Sequence, residues 1–411
     1  MSETVAVTGI GLVSPVGTAV EEVFEAVCAG RSGLVRPPEG HALRGVVDVA
    51  AIGPPVDPES VIPPKEARVV DRSIVMGVRA AEDALADAGI EVGQDVDPYR
   101  VAVVLSGVGG LETLARQAVE RSQRGRLGVS PFMLPGVLPN MAAARVAIKF
   151  GIRGYTSSSG TACAAGGQSI GEAVRILRSG EADVVVCGCT EAPLFPTFAD
   201  AFGNALALAR GWSDPTTASR PFDRRRNGFV LGEGAGVLVL ERAGFARARG
   251  AAVLAHVLGW GATSDGYHPT TPRPDGSGAA QSMRIALRDS GLSTSDIGYL
   301  NAHGTGTKAG DSAESEAIRG VYGDGMPPVS STKGVTGHLL GASGVVEAAI
   351  AVTAMREGLL PPTHNLDDPD PACDLNHVRG EPSAAAVDAV MSNSFGFGGH
   401  NVSVVFGRAD G

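Results

Sequence analysis

The strongest constraint on this 411-residue chain is that its sequence repeats itself. Ala84-Leu85-Ala86-Asp87-Ala88-Gly89-Ile90 is echoed by Ala286-Leu287-Arg288-Asp289-Ser290-Gly291-Leu292. Each copy runs on into an apolar, strand-like segment and a glycine-rich turn, Gly107-Val108-Gly109-Gly110 in one and Gly304-Thr305-Gly306 in the other. Gly9-Ile10-Gly11 behind the opening strand has a counterpart in Gly259-Trp260-Gly261. Gly232-Glu233-Gly234-Ala235-Gly236 matches Gly396-Phe397-Gly398-Gly399, each ahead of an apolar run. One echo can arise by chance, but four in the same order point to a duplicated unit with its seam near residues 242–251. The chain is therefore expected to divide into residues 1–250 and 251–411, in keeping with a length beyond one ordinary core.

Short β-rich runs alternate with helical stretches, which signals an α/β fold with buried strands. Strands are expected at residues 5–8, 101–105, 183–187, 237–240, 253–258, 297–301 and 402–406. Helices are expected at 74–88 and 281–290, each closed by a glycine, Gly89 and Gly291. The glycine clusters invite a dinucleotide reading, but the spacing does not fit. Gly9-Ile10-Gly11 lacks a third glycine at the required offset, and Pro15 interrupts the helix that should follow. A net charge of −10 argues against general affinity for nucleic acid. Five cysteines, an odd number in a long chain, suit a reducing compartment. Met1-Ser2-Glu3-Thr4 carries no basic segment ahead of its apolar stretch, so no secretory signal is expected. The best membrane candidate, residues 344–361, is broken by Glu347, Arg356 and Glu357. The expectation is a cytoplasmic protein with no membrane partner.

Three residues stand where chemistry could occur. Cys163 lies in Ser159-Gly160-Thr161-Ala162-Cys163-Ala164-Ala165-Gly166-Gly167, and Ile170, Val174 and Leu177 continue at helical spacing. A cysteine in the first turn of that helix would feel unpaired N–H groups and the positive end of the dipole, both favouring a thiolate. Such a cysteine is either a buried structural thiol or a nucleophile. His303 follows a strand in Asn301-Ala302-His303-Gly304-Thr305-Gly306-Thr307. His338 precedes a helix expected at 345–356, in Lys333-Gly334-Val335-Thr336-Gly337-His338-Leu339-Leu340-Gly341. Each histidine alone reads as structural; with the cysteine they make a nucleophile and two imidazoles. Cys187 and Cys189 have no partners at metal spacing and read as buried thiols, and Cys28 and Cys373 suggest no chemistry. No metal site is expected.

With these motifs in order, the sequence resembles the β-ketoacyl-acyl-carrier-protein synthases of the thiolase superfamily, over essentially its whole length. The resemblance rests on Thr161-Ala162-Cys163-Ala164, Asn301 to Thr307, Ser331-Thr332-Lys333 through Gly341, and Asn393-Ser394-Phe395-Gly396-Phe397-Gly398-Gly399. It implies a thiolase-like fold, a duplicated five-layer αβαβα arrangement. The cysteine, histidine, histidine set fits the elongating, KAS II-like class, which includes the ketosynthase subunit of type II polyketide synthases. The reaction so implied is a decarboxylative Claisen condensation of an acyl-Cys163 with malonyl carried on acyl carrier protein, in fatty acid or polyketide elongation. No cofactor is implied beyond the carrier's phosphopantetheine.

The same resemblance assigns the supporting residues. Lys333 would orient and tune His303 and His338, with Glu347 as its charge partner. Phe397 would supply an oxyanion N–H together with Cys163 and act as a gate. Thr305 and Thr307 would bind the pantetheine arm, and Val108 and Phe202 would line the acyl pocket. An acidic carrier needs a local basic patch, for which Lys65, Arg68 and Arg72, then Arg124, Arg126 and Arg210, are the candidates. The family implies a dimer, either homomeric or with a chain-length-factor-like subunit. This sequence departs from the family's pattern at Gly154-Tyr155, at the polar run Ser157-Ser158-Ser159, and at His400, where threonine is common. Two alternatives share the fold. A chain-length factor would lack the nucleophile, and a CoA-dependent thiolase would carry a second cysteine in the loop 396–399.

Overall fold

The computed structural model describes residues 4–409, so Met1, Ser2 and Glu3, on which the signal reading leaned, lie outside the described residues. Ten strands form one sheet. They are β1 (Val5–Val13), β2 (Val101–Ser106), β3 (Thr156–Ser157), β4 (Val184–Glu191), β5 (Gly234–Arg242), β6 (Ala255–Ser264), β7 (Tyr299–Asn301), β8 (Val329–Ser330), β9 (Ala389–Gly396) and β10 (His400–Gly407). From the seam outward the first half runs β1-β5-β4-β2-β3 and the second β6-β10-β9-β7-β8. Both halves thus use the same order, first-fifth-fourth-second-third. The sense of pairing also repeats: antiparallel for the first two neighbours, parallel for the next two. β1 and β6 join the halves in antiparallel register, Val5 opposite Val257.

Eight helices matter for the site: α1 (Arg72–Ala88), α2 (Leu111–Arg124), α3 (Met141–Phe150), α4 (Ala165–Ser179), α5 (Pro196–Asn204), α6 (Ser277–Ser290), α7 (Lys308–Tyr322) and α8 (Ser343–Glu357). Strand alternation sorts the core into layers. Val101, Val103, Val184, Val186, Val237 and Val239 face α1 and α3. Their neighbours Ala102, Val104, Val185, Cys187, Leu238 and Leu240 face α4 and α8. In the second half Tyr299, Val390, Val404 and Phe406 face the same two helices, while Leu300, Met391 and Val405 face α6 and α7. The layers are α1/α3, sheet, α4/α8, sheet, α6/α7, which is the five-layer arrangement of the thiolase-like fold.

The strands expected at 5–8 and 253–258 do not stop at their glycine pairs. β1 runs on through Gly9 and Gly11, and β6 through Gly259 and Gly261. A side chain at Gly9 would bring its Cβ 2.2 Å from Ala84 O, and one at Gly259 would come 2.5 Å from Ala286 O. Each pair therefore lets a helix, α1 or α6, lie directly on the first strand of its half. The helix echo has the matching account. Asp87 Oδ2 accepts the N–H of Ile10 at 2.9 Å, and Asp289 Oδ2 accepts that of Trp260 at 3.1 Å. Gly89 and Gly291 close the two helices in the left-handed region, at φ 60° and 73°.

The polar run near β3 also finds its reason. Ser157 Oγ and Ser159 Oγ, with Tyr155 OH, all donate to the Glu172 carboxylate on α4. That ties a short edge strand to the central helix layer. All five cysteines are free thiols, and Cys28, Cys187, Cys189 and Cys373 are buried.

Candidate active site

The two central helices bring the candidate residues together. Cys163 stands in a 3-10 turn, Ala162–Ala164, between β3 and α4. His338 stands between β8 and α8. The helices meet closely, because Gly166 leaves room for Gly341 O, which a Cβ there would approach to 2.5 Å. Cys163 Sγ lies 3.2 Å from His338 Nε2. The His303 ring lies 5.3 Å from that of His338, centroid to centroid, and nearly perpendicular to it at 83°. One sulfur and two imidazoles from opposite halves share one crevice.

The cysteine does not sit in the first turn of the helix, and it is not a resting thiolate. Burial, followed by the Glu191 carboxyl, pushes its thiol up to about 12, against the pull of Lys333 and of the N–H groups of Phe397 and Cys163. Loss of water around the sulfur outweighs the local positive field. Those two N–H groups nevertheless face the sulfur, on the side where the carbonyl oxygen of an attached acyl group would need donors. Gly396 allows this approach: a Cβ there would lie 3.0 Å from Cys163 N and 2.8 Å from Thr161 O.

Both histidines are held neutral. Burial drives their pKa values well below 6.5; Lys333 adds to this for both rings, and His338 adds to it for His303. His338 Nδ1 lies 3.3 Å from Ser343 Oγ, which already accepts Leu339 N–H at 2.9 Å. A Ser343 hydroxyl that donates to Nδ1 leaves the ring proton on Nε2, facing Cys163. Lys333 is fully buried and ion-paired with Glu347 on α8. Even beside this cation, burial lifts Glu347 to about 7.

Several residues escaped the sequence reading. Glu314 on α7 takes the N–H groups of His303 and Gly304, both at 2.7 Å, and so fixes the His303 turn. Asp311 takes Gly306 N–H at 3.1 Å and Phe222 N–H at 2.8 Å. Two acids three residues apart, in the opening turns of a helix behind a glycine turn, were the available signal. Asp265 accepts Asn401 Nδ2 at 2.7 Å and donates its N–H to Gly399 O at 2.9 Å, while Gly398 N–H reaches Pro269 O at 2.7 Å. The glycine loop carrying Phe397 is thereby moored to residues 265–269, over a sequence separation with no local signature.

A cavity of about 480 Å³ reaches the crevice; Cys163, His303, His338, Phe202 and Phe397 are in its wall. Thr305 and Thr307 line it with their hydroxyls 3.1 Å apart. Phe202 packs edge-on against Phe229 at 5.2 Å and faces Phe397 at 6.1 Å. Val108 is outside this wall; it is half-buried, with its N–H turned to Glu191 at 3.4 Å. Lys65, Arg68, Arg126 and Arg210 are exposed, and Arg124 is exposed but paired with Glu120 at 3.2 Å. Arg72 does not belong with them. Its guanidinium grips Glu233 through two 2.9 Å bonds and also holds the carbonyls of Gly53 and Pro54, so it braces the fold. Among the described residues no group of three or more His, Cys, Asp or Glu could hold a metal ion, and no helix is long and apolar enough to cross a membrane.

Comparison with known proteins decides the family. The model for "Beta-ketoacyl synthase, N-terminal domain" matches residues 2–246, and that for "Beta-ketoacyl synthase, C-terminal domain" matches residues 254–367. The chain belongs to the β-ketoacyl synthase family. It is 41% identical to 3-oxoacyl-acyl-carrier-protein synthase 2 of Synechocystis, over 98% of this chain and 97% of that relative. With the Vibrio cholerae protein of the same name it shares 42%, over 98% and 99%. Among solved structures, a type II polyketide synthase acyl-carrier protein in complex with its hexaketide-bound ketosynthase matches at TM-score 0.91 and 29% identity, covering 100% of both chains. A β-ketoacyl synthase from Burkholderia phymatum matches at 0.92 and 35%, again over 100% of both. The chain is accordingly an acyltransferase-type condensing enzyme of the elongating kind.

Proposed function

We propose that the protein joins an acyl group held on Cys163 to malonyl delivered by acyl carrier protein, with carbon dioxide as the leaving group. The observation that carries this reading is the 3.2 Å approach of His338 Nε2 to Cys163 Sγ, beside a second neutral imidazole. In the first step the sulfur attacks the carrier thioester. The carrier sulfur leaves with the thiol proton, and the N–H groups of Cys163 and Phe397 hold the developing oxyanion. In the second step the bond to the malonyl carboxylate breaks and its electron pair forms a thioester enolate. Neutral His303 and His338 each donate an Nε2–H to that oxygen. Burial favours this assignment, because it keeps both rings uncharged at neutral pH. In the third step the enolate carbon attacks the acyl carbonyl, the Cys163–carbonyl bond breaks, and the departing thiolate takes a proton from solvent.

Lys333, ion-paired with Glu347, keeps a positive field on the two rings. Thr305 and Thr307 would take the amides of the pantetheine arm, and Phe397 would gate the cavity. Phe202 bounds the acyl side, while Val108 stands outside the cavity wall with its N–H turned to Glu191. Lys65, Arg68, Arg124, Arg126 and Arg210 make the basic patch for the acidic carrier. The chain thereby divides into a nucleophile half, residues 1–250, and a histidine half, residues 251–411. Leu127, Phe132, Leu134 and Leu138 are exposed on the segment that follows α2, as befits a face covered by a second subunit, either a copy or a chain-length-factor-like relative. The cytoplasm is the compartment that suits five free thiols. Incubation with acyl- and malonyl-loaded carriers, with products weighed by mass spectrometry, tests the reading. A β-ketoacyl carrier two carbons longer than the primer is expected, and an unextended primer overturns it.

A further inference from the structure

Behind the candidate nucleophile lies an acid that the steps above leave idle. Glu191 ends β4 and is almost completely buried, with 1% exposure. It faces the two turns that deliver the reacting side chains. A Cβ on Gly341 would lie 2.7 Å from Cys189 Sγ, 3.0 Å from Glu191 Oε1 and 3.1 Å from Ala162 O. The carboxyl and the carbonyl before Cys163 therefore converge on the turn after His338. Both turns are strained. Ala162 and Leu340 hold φ at 49° and 50°, left-handed values that cost a residue with a side chain about 1 kcal/mol or more.

Val108 N–H reaches Glu191 Oε2 at 3.4 Å and the Gly341 N–H also faces the carboxyl, although Oε1 completes no hydrogen bond among the described residues. The ionisable neighbours are Cys189 on its own strand, Cys163 on the turn, and Asp71 ahead of α1. None of these brings a positive charge. Lys333 acts on Cys163 but is not among the groups that act on Glu191. Burial accordingly lifts Glu191 to about 8, so at neutral pH it carries a proton, and ionisation would set a negative charge beside the sulfur.

We propose that protonated Glu191 is a positioning residue for Cys163, a neutral wedge between the two left-handed turns whose ionisation disarms the thiol. The inference rests on Cys163 being the acylated residue. Sulfur reactivity is therefore read directly, so that a failure here is distinct from a failure to condense. In the intact protein, log rate of Cys163 alkylation by iodoacetamide should climb with pH and bend downward near pH 8, as the new charge opposes the thiolate. Glu191→Gln keeps the shape and a donor but cannot ionise, so its bend should vanish, together with the alkaline fall of kcat/KM for acyl transfer. Glu191→Ala should lower kcat about tenfold without changing KM for the loaded carrier, a split expected when transition-state positioning is lost. Should neither variant fold, the wild-type profile decides: unit slope through pH 10 overturns the proposal. So does a Gln variant that bends where the wild type does.

Discussion

The two halves of the chain use one plan and place different chemistry in the same slots. In each, the turn between the third strand and the following central helix projects into the crevice. The first half puts Cys163 there and the second His338. Since α4 and α8 pack together across the pseudo-symmetry, equivalent positions meet face to face, and that explains the 3.2 Å contact between residues 175 apart in sequence. The fourth strands also correspond. β4 ends on Glu191, whereas β9 ends on Gly396 and continues into Phe397. One half closes the back of the sulfur with an acid, and the other leaves a glycine through which N–H groups reach it. The duplication supplied the frame; divergence at equivalent turn positions supplied the reaction.

The comparison breaks most sharply at its centre. Cys163→Ala should reduce condensation by about 10⁴-fold or more, the usual cost of losing a covalent nucleophile. It should leave malonyl decarboxylation measurable, because the histidine half is intact. Release of labelled carbon dioxide beside product mass separates the two. Loss of both activities together would mean that the halves cannot act apart. His303→Ala and His338→Ala should each lower decarboxylation about 10²-fold, the scale of one oriented donor. Both rings have depressed pKa values, so the neutral donor form persists as pH falls below 6.5. Decarboxylation by Cys163→Ala protein should therefore show no fall centred at 6.5, any change between pH 8 and 6 being centred near 7, where Glu347 takes up a proton. A midpoint at 6.5 would point to a solvent-exposed imidazole instead.

Much of this frame was legible in the sequence, for a physical reason. Repeated Gly-x-Gly pairs and repeated Asp-x-Gly helix ends are local, and the structure ties each to a single contact, strand against helix. The expected strands nevertheless stopped short of these glycines, because a glycine records only that something comes close, not whether the chain bends. Cys163, His303 and His338 were recognisable by their glycine-flanked motifs. The thiol's state was not, since burial against β4 and α8 outweighs the local field of α4. Glu314, Ser343 and the Asp265–Asn401 tie lacked a distinctive signal, as each works on backbone or on a residue far along the chain. Arg72 misled for the same reason. A basic residue at a helix start reads as free until Glu233, 161 positions on, is seen beneath it.

The shared strand-on-helix device can be tested one half at a time. Gly9→Ala would drive a Cβ to 2.2 Å from Ala84 O, and Gly259→Ala to 2.5 Å from Ala286 O. Neither obstacle is a flexible side-chain tip, so each substitution should push its helix outward at a cost of about 1–3 kcal/mol. Urea melts should show the two losses to be of similar size. A large loss in only one half would mean that the resemblance between the two contacts is superficial.

The smallest effect discriminates best between the halves. Asp87 accepts the N–H of Ile10 within its own half, and Asp289 does the same for Trp260. Asp289 also takes both of its oxygens to Arg178 Nη1, at 3.0 and 2.8 Å, and Arg178 belongs to α4 in the first half. The same carboxylate that latches a helix to its strand thus ties the two halves together. Asp87→Asn weakens one charge-assisted bond and should cost about 1 kcal/mol; Asp289→Asn weakens that bond and the ion pair, and should cost about 0.5 kcal/mol more. The increment should shrink in high salt, where a partly exposed pair is screened and a backbone latch is not. It should also vanish in an Arg178→Met background, where only the latch remains to be lost. Equal costs for the two aspartates at low salt would show that the Arg178 pair adds nothing to the hold between the halves.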